Sequence, residues 1–260
     1  MSMLATMVRV IREEGIWHGL LVLKSHATDR YLIWNAQRKG DAAPLDLTTN
    51  TVEENRRIWN QPRWWTNKGE QWTEDVRGYK GLDPEQWKAT LIDQVMLKHL
   101  VKGSTILEIG PGAGRWTEHL APLAGRLILA DISNTCLDLC RSRFTEHAHI
   151  AYHLIERRLD FVPNGSIDGI WSYDVFVHIN PSDIEAYVVE FARILKPGGR
   201  AVIHHSGAYP TDVERRQGFR TMISAEQFAG LVTRHGMKLV EQNDWAAHKP
   251  GDVISVFTRA

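Results

Sequence analysis

Cysteine is scarce in this sequence, with only Cys136 and Cys140 present. The two fall in one helical stretch at a spacing that puts them on the same helix face. They offer no disulfide framework, and no further cysteine exists to complete a zinc site. The expectation is a reduced protein with two partly buried thiols and no metal centre. An excess of either charge is also missing, since 31 Lys plus Arg stand against 31 Asp plus Glu. Without a global field to gather nucleic acid or anionic membrane, a dedicated DNA or RNA binder is disfavoured. Long apolar runs are absent as well. The stretch from Leu20 to Leu23, preceded by Ile16 and Trp17, falls far short of the roughly 20 residues that span a bilayer. Arg12, Glu13 and Glu14 interrupt the opening, which therefore lacks a signal peptide's apolar region. A cytoplasmic protein is expected. Internal repeats and low-complexity tracts are likewise missing.

What remains has ordinary globular character: 260 residues, 43% hydrophobic and 24% charged. That length accommodates one large α/β domain with an extension. The informative stretch runs from Ser104 to Leu120, STILEIGPGAGRWTEHL. Ile106, Leu107 and Ile109 read as a buried strand that contains Glu108. Gly110, Gly112 and Gly114 then form a tight turn into a helix start. Glycine permits positive φ and close backbone approach, and the N–H groups of the following helix favour anionic groups, so a nucleotide-like ligand is the leading idea. The dinucleotide fingerprint G-x-G-x-x-G needs glycine at 115, where Arg115 stands, and NAD falls behind. The plain structural alternative is a glycine-rich turn that binds nothing.

Residues 1–51 read as a helical extension and linker. Three short amphipathic stretches within it suggest either packing on the core or a membrane-surface or dimer contact through residues 1–40. Residues 52–84 form a lead-in in which Trp59, Trp64, Trp65 and Trp72 crowd together. Such rings supply wide, rigid surfaces, so a lid or an aromatic wall is expected, with Trp65 and Trp72 as substrate-binding candidates. The alternative is that they pin a helix to the core. From residue 85 the pattern is that of a catalytic core, 85–260. Asp83, Pro84 and Glu85 start a helix that runs towards Leu100. Arg126 to Ala130 is a second strand ending at Asp131, placed where an acid catches ribose hydroxyls in nucleotide folds. His149 to Ile155, Ser166 to Ser172, Arg200 to Ser206, Lys238 to Glu241 and Asp252 to Thr258 supply the remaining strands. Ser182 and Asp183 cap the helix before LKPGG, and Ala225 to His235 is a further helix.

The order E-x-G-x-G-x-G, Asp131, the SIDGIWSYD segment and LKPGG before a strand resembles the class I S-adenosylmethionine-dependent methyltransferases. A narrower resemblance, to the methyltransferases of polysaccharide and glycolipid biosynthesis, rests on the tryptophan-rich lead-in, GRWTEHL, HHS and DVISVFTR. The first resemblance implies a Rossmann-like α/β fold, a seven-stranded and mostly parallel sheet with helices on both faces. It also implies S-adenosyl-L-methionine as cofactor and S-adenosyl-L-homocysteine as product. Glu108, Gly110, Gly112, Gly114, Arg115, Asp131, Ile132, Glu156 and Tyr173 are then the cofactor-binding candidates. The adenine position falls on Ile155, with only Glu156 able to serve after a shift of one residue. A neutral hydroxyl acceptor requires a base, and histidine titrates near neutrality. His178 and His205 are the catalytic candidates, ranked above His204, which points to the opposite face from His205. Tyr209 and Arg216 join the substrate-binding candidates. The expected activity is methyl transfer to a small-molecule or glycan acceptor, as an O-methyltransferase. An N-methyltransferase, an RNA or protein methyltransferase and a non-catalytic scaffold of the same fold remain as alternatives.

Overall fold

The computed structural model describes residues 51–156, 158–207, 220–221 and 223–260. The extension assigned to residues 1–51, Thr51 excepted, lies outside the described residues, as do Tyr209 and Arg216. Thr51 stands at a helix start where side chain and backbone complete each other. The Thr51 hydroxyl accepts from the Glu54 N–H while the Glu54 carboxylate accepts from the Thr51 N–H, so two otherwise orphaned donors are satisfied at once. Helix α1 (Val52–Trp59) follows, then two tight turns, Pro62–Trp64 and Thr66–Gly69, and helix α2 (Gln71–Lys80). Helix α3 (Pro84–Leu91) begins on Asp83, whose carboxylate accepts from the Gln86 N–H, with Pro84 in the first turn where its missing N–H costs nothing. It continues through a widened turn, Ile92–Met96, to His99.

The core alternates strand and helix. Strands β1 (Thr105–Ile109) and β2 (Arg126–Asp131) flank the short helix α4 (Thr117–Leu120). Helix α5 (Asn134–Arg143) leads to β3 (Ile150–Leu154), and β4 (Ile167–Ser172) precedes helix α6 (Pro181–Ile194). Strand β5 (Leu195–Ser206), helix α7 (Ala225–Arg234), β6 (Met237–Asn243) and β7 (Asp252–Arg259) complete the order. The sheet runs β3-β2-β1-β4-β5-β7-β6, parallel except for β7, which lies antiparallel between β5 and β6. The fold is therefore the expected Rossmann-like seven-stranded sheet. Two details differ from the sequence reading. Helix α6 is capped at Asn180 with Pro181 in its first turn, not at Ser182 and Asp183, because proline's fixed φ suits the first helical position. The LKPGG segment is already part of β5, pairing at Leu195 with Ile167 before the register shifts at Gly169.

Strand alternation divides the core into two layers. Leu107, Ile109, Ile170, Ala201 and Ile203 pack with α6 and α7 on one face. Ile106, Leu129, Trp171, Val202 and Ile254 pack with α2, α3 and α5 on the other. Burial of both faces explains why the central strands read as nearly continuous apolar runs. Among the described residues no helix is long and apolar enough to cross a membrane. Strand order reverses between β1 and β4, and the crevice outside their carboxyl ends is where open α/β sheets hold ligands.

Candidate functional site

A cavity of about 380 Å³ opens at that crevice. Its wall is built from the loop after β1 (Gly110 to Ala113, Arg115), the end of β2 (Asp131, Ile132), the segment after β3 (Ile155, Glu156) and the segment after β4 (Tyr173 to Val175). Trp59, Trp64, Trp65, Trp72 and Tyr79 from the lead-in close the opposite side, and His178, Arg220, His248 and Lys249 also line it. The loop after β1 needs glycine for a definite reason. Gly110 and Gly112 sit at φ +70° and +58°, in the left-handed region that side chains disfavour. A Cβ at Gly110 would fall 2.3 Å from a Val175 methyl carbon, and one at Gly112 would fall 2.6 Å from the Trp65 ring. The missing side chains thus make room for protein groups, with Trp65 lying directly on the loop.

The cofactor candidates separate by position. Asp131 accepts from the Ser133 N–H at 2.8 Å and from the Gly112 N–H at 3.4 Å. Burial pushes its carboxyl up to about 6 in spite of those N–H groups. Glu108 is absent from the cavity wall. It is buried beneath the loop, accepting from the Thr117 hydroxyl at 2.6 Å, and burial pushes it up to about 8 with Asp131 adding to the effect. Its expected contact with the cofactor is corrected accordingly: β1 turns Glu108 to the face under α4. Glu156 lines the cavity, yet its exposed carboxylate is paired with Arg56 at 3.2 Å, while Ile155 provides a buried apolar wall. Arg115 is buried, donating to Asp174 Oδ2 at 2.5 Å with its guanidinium 5.1 Å from the Trp116 ring and 5.6 Å from the Tyr173 ring. The Tyr173 hydroxyl donates away from the cavity to the Ala246 carbonyl at 2.8 Å.

The two catalytic candidates do not share the pocket. His178 lines the cavity, its ring 5.3 Å from that of Trp59. His205 points to the other face of β5, stacked 3.8 Å from Phe228, and its Nε2 lies 2.6 Å from the Ser255 hydroxyl. Burial pushes it down to about 3. The alternation of β5 carries His205 into the α7 layer, so the expectation that it reaches the acceptor is corrected. His204 takes the face directed towards the site. It is fully buried, stacked 4.2 Å from Tyr173, and its Nδ1 accepts from the Asp174 N–H at 3.1 Å. His248, not among the sequence candidates, stands on the cavity wall with Nδ1 3.2 Å from Asp174 Oδ1. Its only signal in the sequence is a histidine in the turn before β7, which no spacing rule singles out. Asp174, His204 and His248 thus bring one ligand-type atom each within 4.8 Å of one another, where the sequence led to no expectation of a metal.

The lead-in is tied to this site by named bonds. Arg56 donates to the Ile132 carbonyl at 3.2 Å, Asn55 to the His178 carbonyl at 3.0 Å, and Ser133 to the Asn60 side chain at 2.8 Å. Trp65 Nε1 donates to the Trp59 carbonyl at 2.8 Å. Trp65 and Trp72 both stand on the cavity wall, where an aromatic wall was expected.

Residues 106–199 match a family model described as a methyltransferase domain. The chain is similar to the demethylmenaquinone methyltransferase of Tropheryma whipplei (strain Twist), 35% identical over 101 residues that span 39% of this chain and 41% of that protein. The chain therefore spans less than half the length of this curated relative. Among solved structures, the NodS N-methyltransferase of Bradyrhizobium japonicum WM9 in complex with S-adenosyl-L-homocysteine superposes with a TM-score of 0.55 at 18% identity, covering 81% of this chain and 99% of that one. The [4+2]-cyclase SpnF superposes with a TM-score of 0.62 at 14% identity, covering 82% and 97%. Residues 106–199 thus resemble a methyltransferase domain, and the fold around them is shared with the NodS N-methyltransferase.

Proposed function

We propose that this chain binds S-adenosylmethionine in the cavity and transfers its methyl group to the oxygen of a small-molecule or glycan acceptor. The observation that carries the reading is the position of Asp131. A buried carboxylate held by two backbone N–H groups, on the wall of a cavity at the carboxyl ends of parallel strands, keeps lone pairs for two more donors. Neighbouring ribose hydroxyls are such a pair, and a raised carboxyl gains from accepting them because each bond favours its ionised form. The remaining wall suits the group: Ile132 and Ile155 offer apolar contact for a base, and a cavity of about 380 Å³ lies within the range that holds one ligand of cofactor size.

When bound, the cofactor supplies a sulfonium-activated methyl, an electrophile that needs no further activation. The chain's own task is then to hold the acceptor in line, keep water out and take up one proton. Trp59, Trp64, Trp65 and Trp72 cover the site against water and present flat faces on which a sugar or another ring can lie. That wall supports a glycan acceptor, as in the polysaccharide and glycolipid methyltransferases that the sequence resembles. A histidine on the cavity wall is the proposed base. The two free, buried thiols fit a reducing, cytoplasmic setting.

SpnF, a cyclase with the same fold, supports a second reading in which the fold serves another reaction. One experiment separates them: calorimetry with S-adenosylhomocysteine, then incubation with methyl-labelled donor and a panel of glycans, lipid-linked sugars, phenols and amines. Binding with label transferred to a hydroxyl supports the proposal. Transfer to amines alone makes the enzyme an N-methyltransferase, and the absence of binding removes the methyltransferase reading.

A further inference from the structure

Three parts of the chain that are distant in sequence meet behind the cavity: Asp174 after β4, His204 on β5 and His248 in the turn before β7. Asp174 Oδ1 lies 3.2 Å from Nδ1 of both histidines. The two rings have different duties. The Asp174 N–H donates to His204 Nδ1, so the His204 proton resides on Nε2, which faces Asp252 Oδ2 at 3.4 Å. Asp252 is in turn paired with Arg220. His204 is fully buried and is not part of the cavity wall, whereas His248 and Asp174 are.

We propose that His248 is the catalytic residue that takes the acceptor's proton, with Asp174 as the positioning residue that orients its ring. This rests on the reading of the chain as an O-methyltransferase. His248 Nδ1 lies 3.2 Å from the Asp174 carboxylate without an aligned hydrogen bond; a proton placed on Nδ1 is stabilised by that charge and leaves the Nε2 lone pair for the acceptor, the logic by which a carboxylate fixes a catalytic imidazole. Arg115 holds the other carboxylate oxygen at 2.5 Å, so Asp174 cannot turn away. Its backbone adopts φ +62°, an uncommon conformation for a residue other than glycine, and one that the surrounding contacts maintain. The turn carrying His248 is anchored as well. The Tyr173 hydroxyl bonds the Ala246 carbonyl, and Lys80 donates to the Asp244 and Trp245 carbonyls at 2.8 and 3.2 Å.

The protonation states agree with this role. Burial works to raise Asp174, but His248, Arg115 and His204 together hold it well below the usual carboxylate range, so it stays charged. Burial pushes His248 down to about 3 against the pull of Asp174, and the ring is neutral at physiological pH. Weak basicity is sufficient here. As the oxygen–carbon bond forms and the carbon–sulfur bond breaks to leave a neutral thioether, the acceptor oxygen becomes positive and its proton strongly acidic. The proton passes to Nε2, and Asp174 compensates the imidazolium that results. A metal ion held by Asp174, His204 and His248 is the competing use of these atoms. Arg115 already occupies the same carboxylate, and the His204 Nδ1 lone pair is engaged by a backbone N–H.

The test begins with ¹⁵N-histidine NMR of the full chain, the His248 resonances being assigned from their loss in His248→Gln. The expected result is a proton on Nδ1 and a bare Nε2, with the tautomer disturbed in Asp174→Asn. A proton on Nε2 in the unmodified protein overturns the proposal, and this readout needs neither donor nor acceptor. With a hydroxyl acceptor from the labelled-donor panel, His248→Gln is expected to lower kcat by about 10²–10⁴ with KM and S-adenosylhomocysteine affinity retained. Full turnover in His248→Gln, or a comparable loss in His178→Gln alone, overturns it. So does calorimetric binding of one Zn²⁺ that both His204→Gln and His248→Gln abolish. Absence of S-adenosylhomocysteine binding by the unmodified chain would instead remove the parent reading, while the tautomer still reports the pairing of Asp174 with His248.

Discussion

Asp131 and Glu108 are both buried carboxylates near the glycine loop, and they have different consequences. Asp131 faces the cavity, so Asp131→Ala is expected to weaken S-adenosylhomocysteine binding by about 1–3 kcal/mol, the worth of charged hydrogen bonds to the ribose. Calorimetry checks this, and an unchanged affinity would remove Asp131 from the site. Glu108 is a matter of stability. Its carboxyl is raised to about 8 in the folded chain from an ordinary value of 4.5. The folded state therefore holds a proton that the unfolded state has released, and stability falls as pH rises from about 4.5 to 8. Glu108→Gln keeps the shape and removes the titration. The variant should gain stability relative to the parent as pH rises to 8, by an amount on the order of a few kcal/mol. Denaturant midpoints at pH 5 and pH 8 for both proteins provide the check, and a parallel pH response in the two would contradict it.

At the scale of elements, the lead-in lies against the cavity. Helix α1 and the turns after it reach the end of β2 through Arg56 and Ile132 and the segment after β4 through Asn55 and His178, with Trp65 laid on Gly112. A ligand bound over the loop would meet that ring, so the proposed cofactor site predicts that binding and the position of the lead-in are coupled. S-adenosylhomocysteine is expected to shift tryptophan fluorescence and to change proteolysis within residues 52–80. Identical emission and cleavage with and without ligand would mean a permanently packed segment. Much of this level was legible in the sequence. Alternating apolar runs and glycine turns locate all seven strands, because local periodicity reports burial. The facing of β5 was less so: periodicity says that His204 and His205 diverge, and only the packing of Tyr173 and Phe228 says which ring goes where. His248 was illegible because its neighbour Asp174 is brought to it by the sheet across a long separation in sequence. Gly112 was legible as glycine, while the occupant of its open side, Trp65, was not.

For the whole molecule, buried histidines and buried carboxyls set opposing limits on stability. Burial pushes His205 and His248 down to about 3 from 6.5, and it also lowers His99, His119, His153 and His204. His205 and His248 stay neutral in the folded chain down to about pH 3 while the unfolded chain gains their protons below pH 6.5, so they remove stability as pH falls through that value, and the other four, lowered as well, act with the same sign. Glu108, raised to about 8, and Asp131, raised to about 6, act with the opposite sign and remove stability as pH rises. Between about pH 4.5 and 6 His205 and His248 oppose Glu108 and Asp131, with Asp75, also raised, on the side of the acids; the four other lowered histidines tip the balance, and stability rises with pH. Above 6.5 the histidines no longer contribute a slope, Asp131 has largely titrated, and Glu108 leaves a shallow decline that ends near 8. Asp174, held well below its usual range, adds to the loss only in strong acid. The expected profile is a maximum near pH 6.5 with stability falling on both sides. Urea midpoints at pH 5, 6.5 and 8 measure it directly. A midpoint that is highest at pH 5, or that climbs without a turn to pH 8, would show that these buried groups do not govern the stability of the chain.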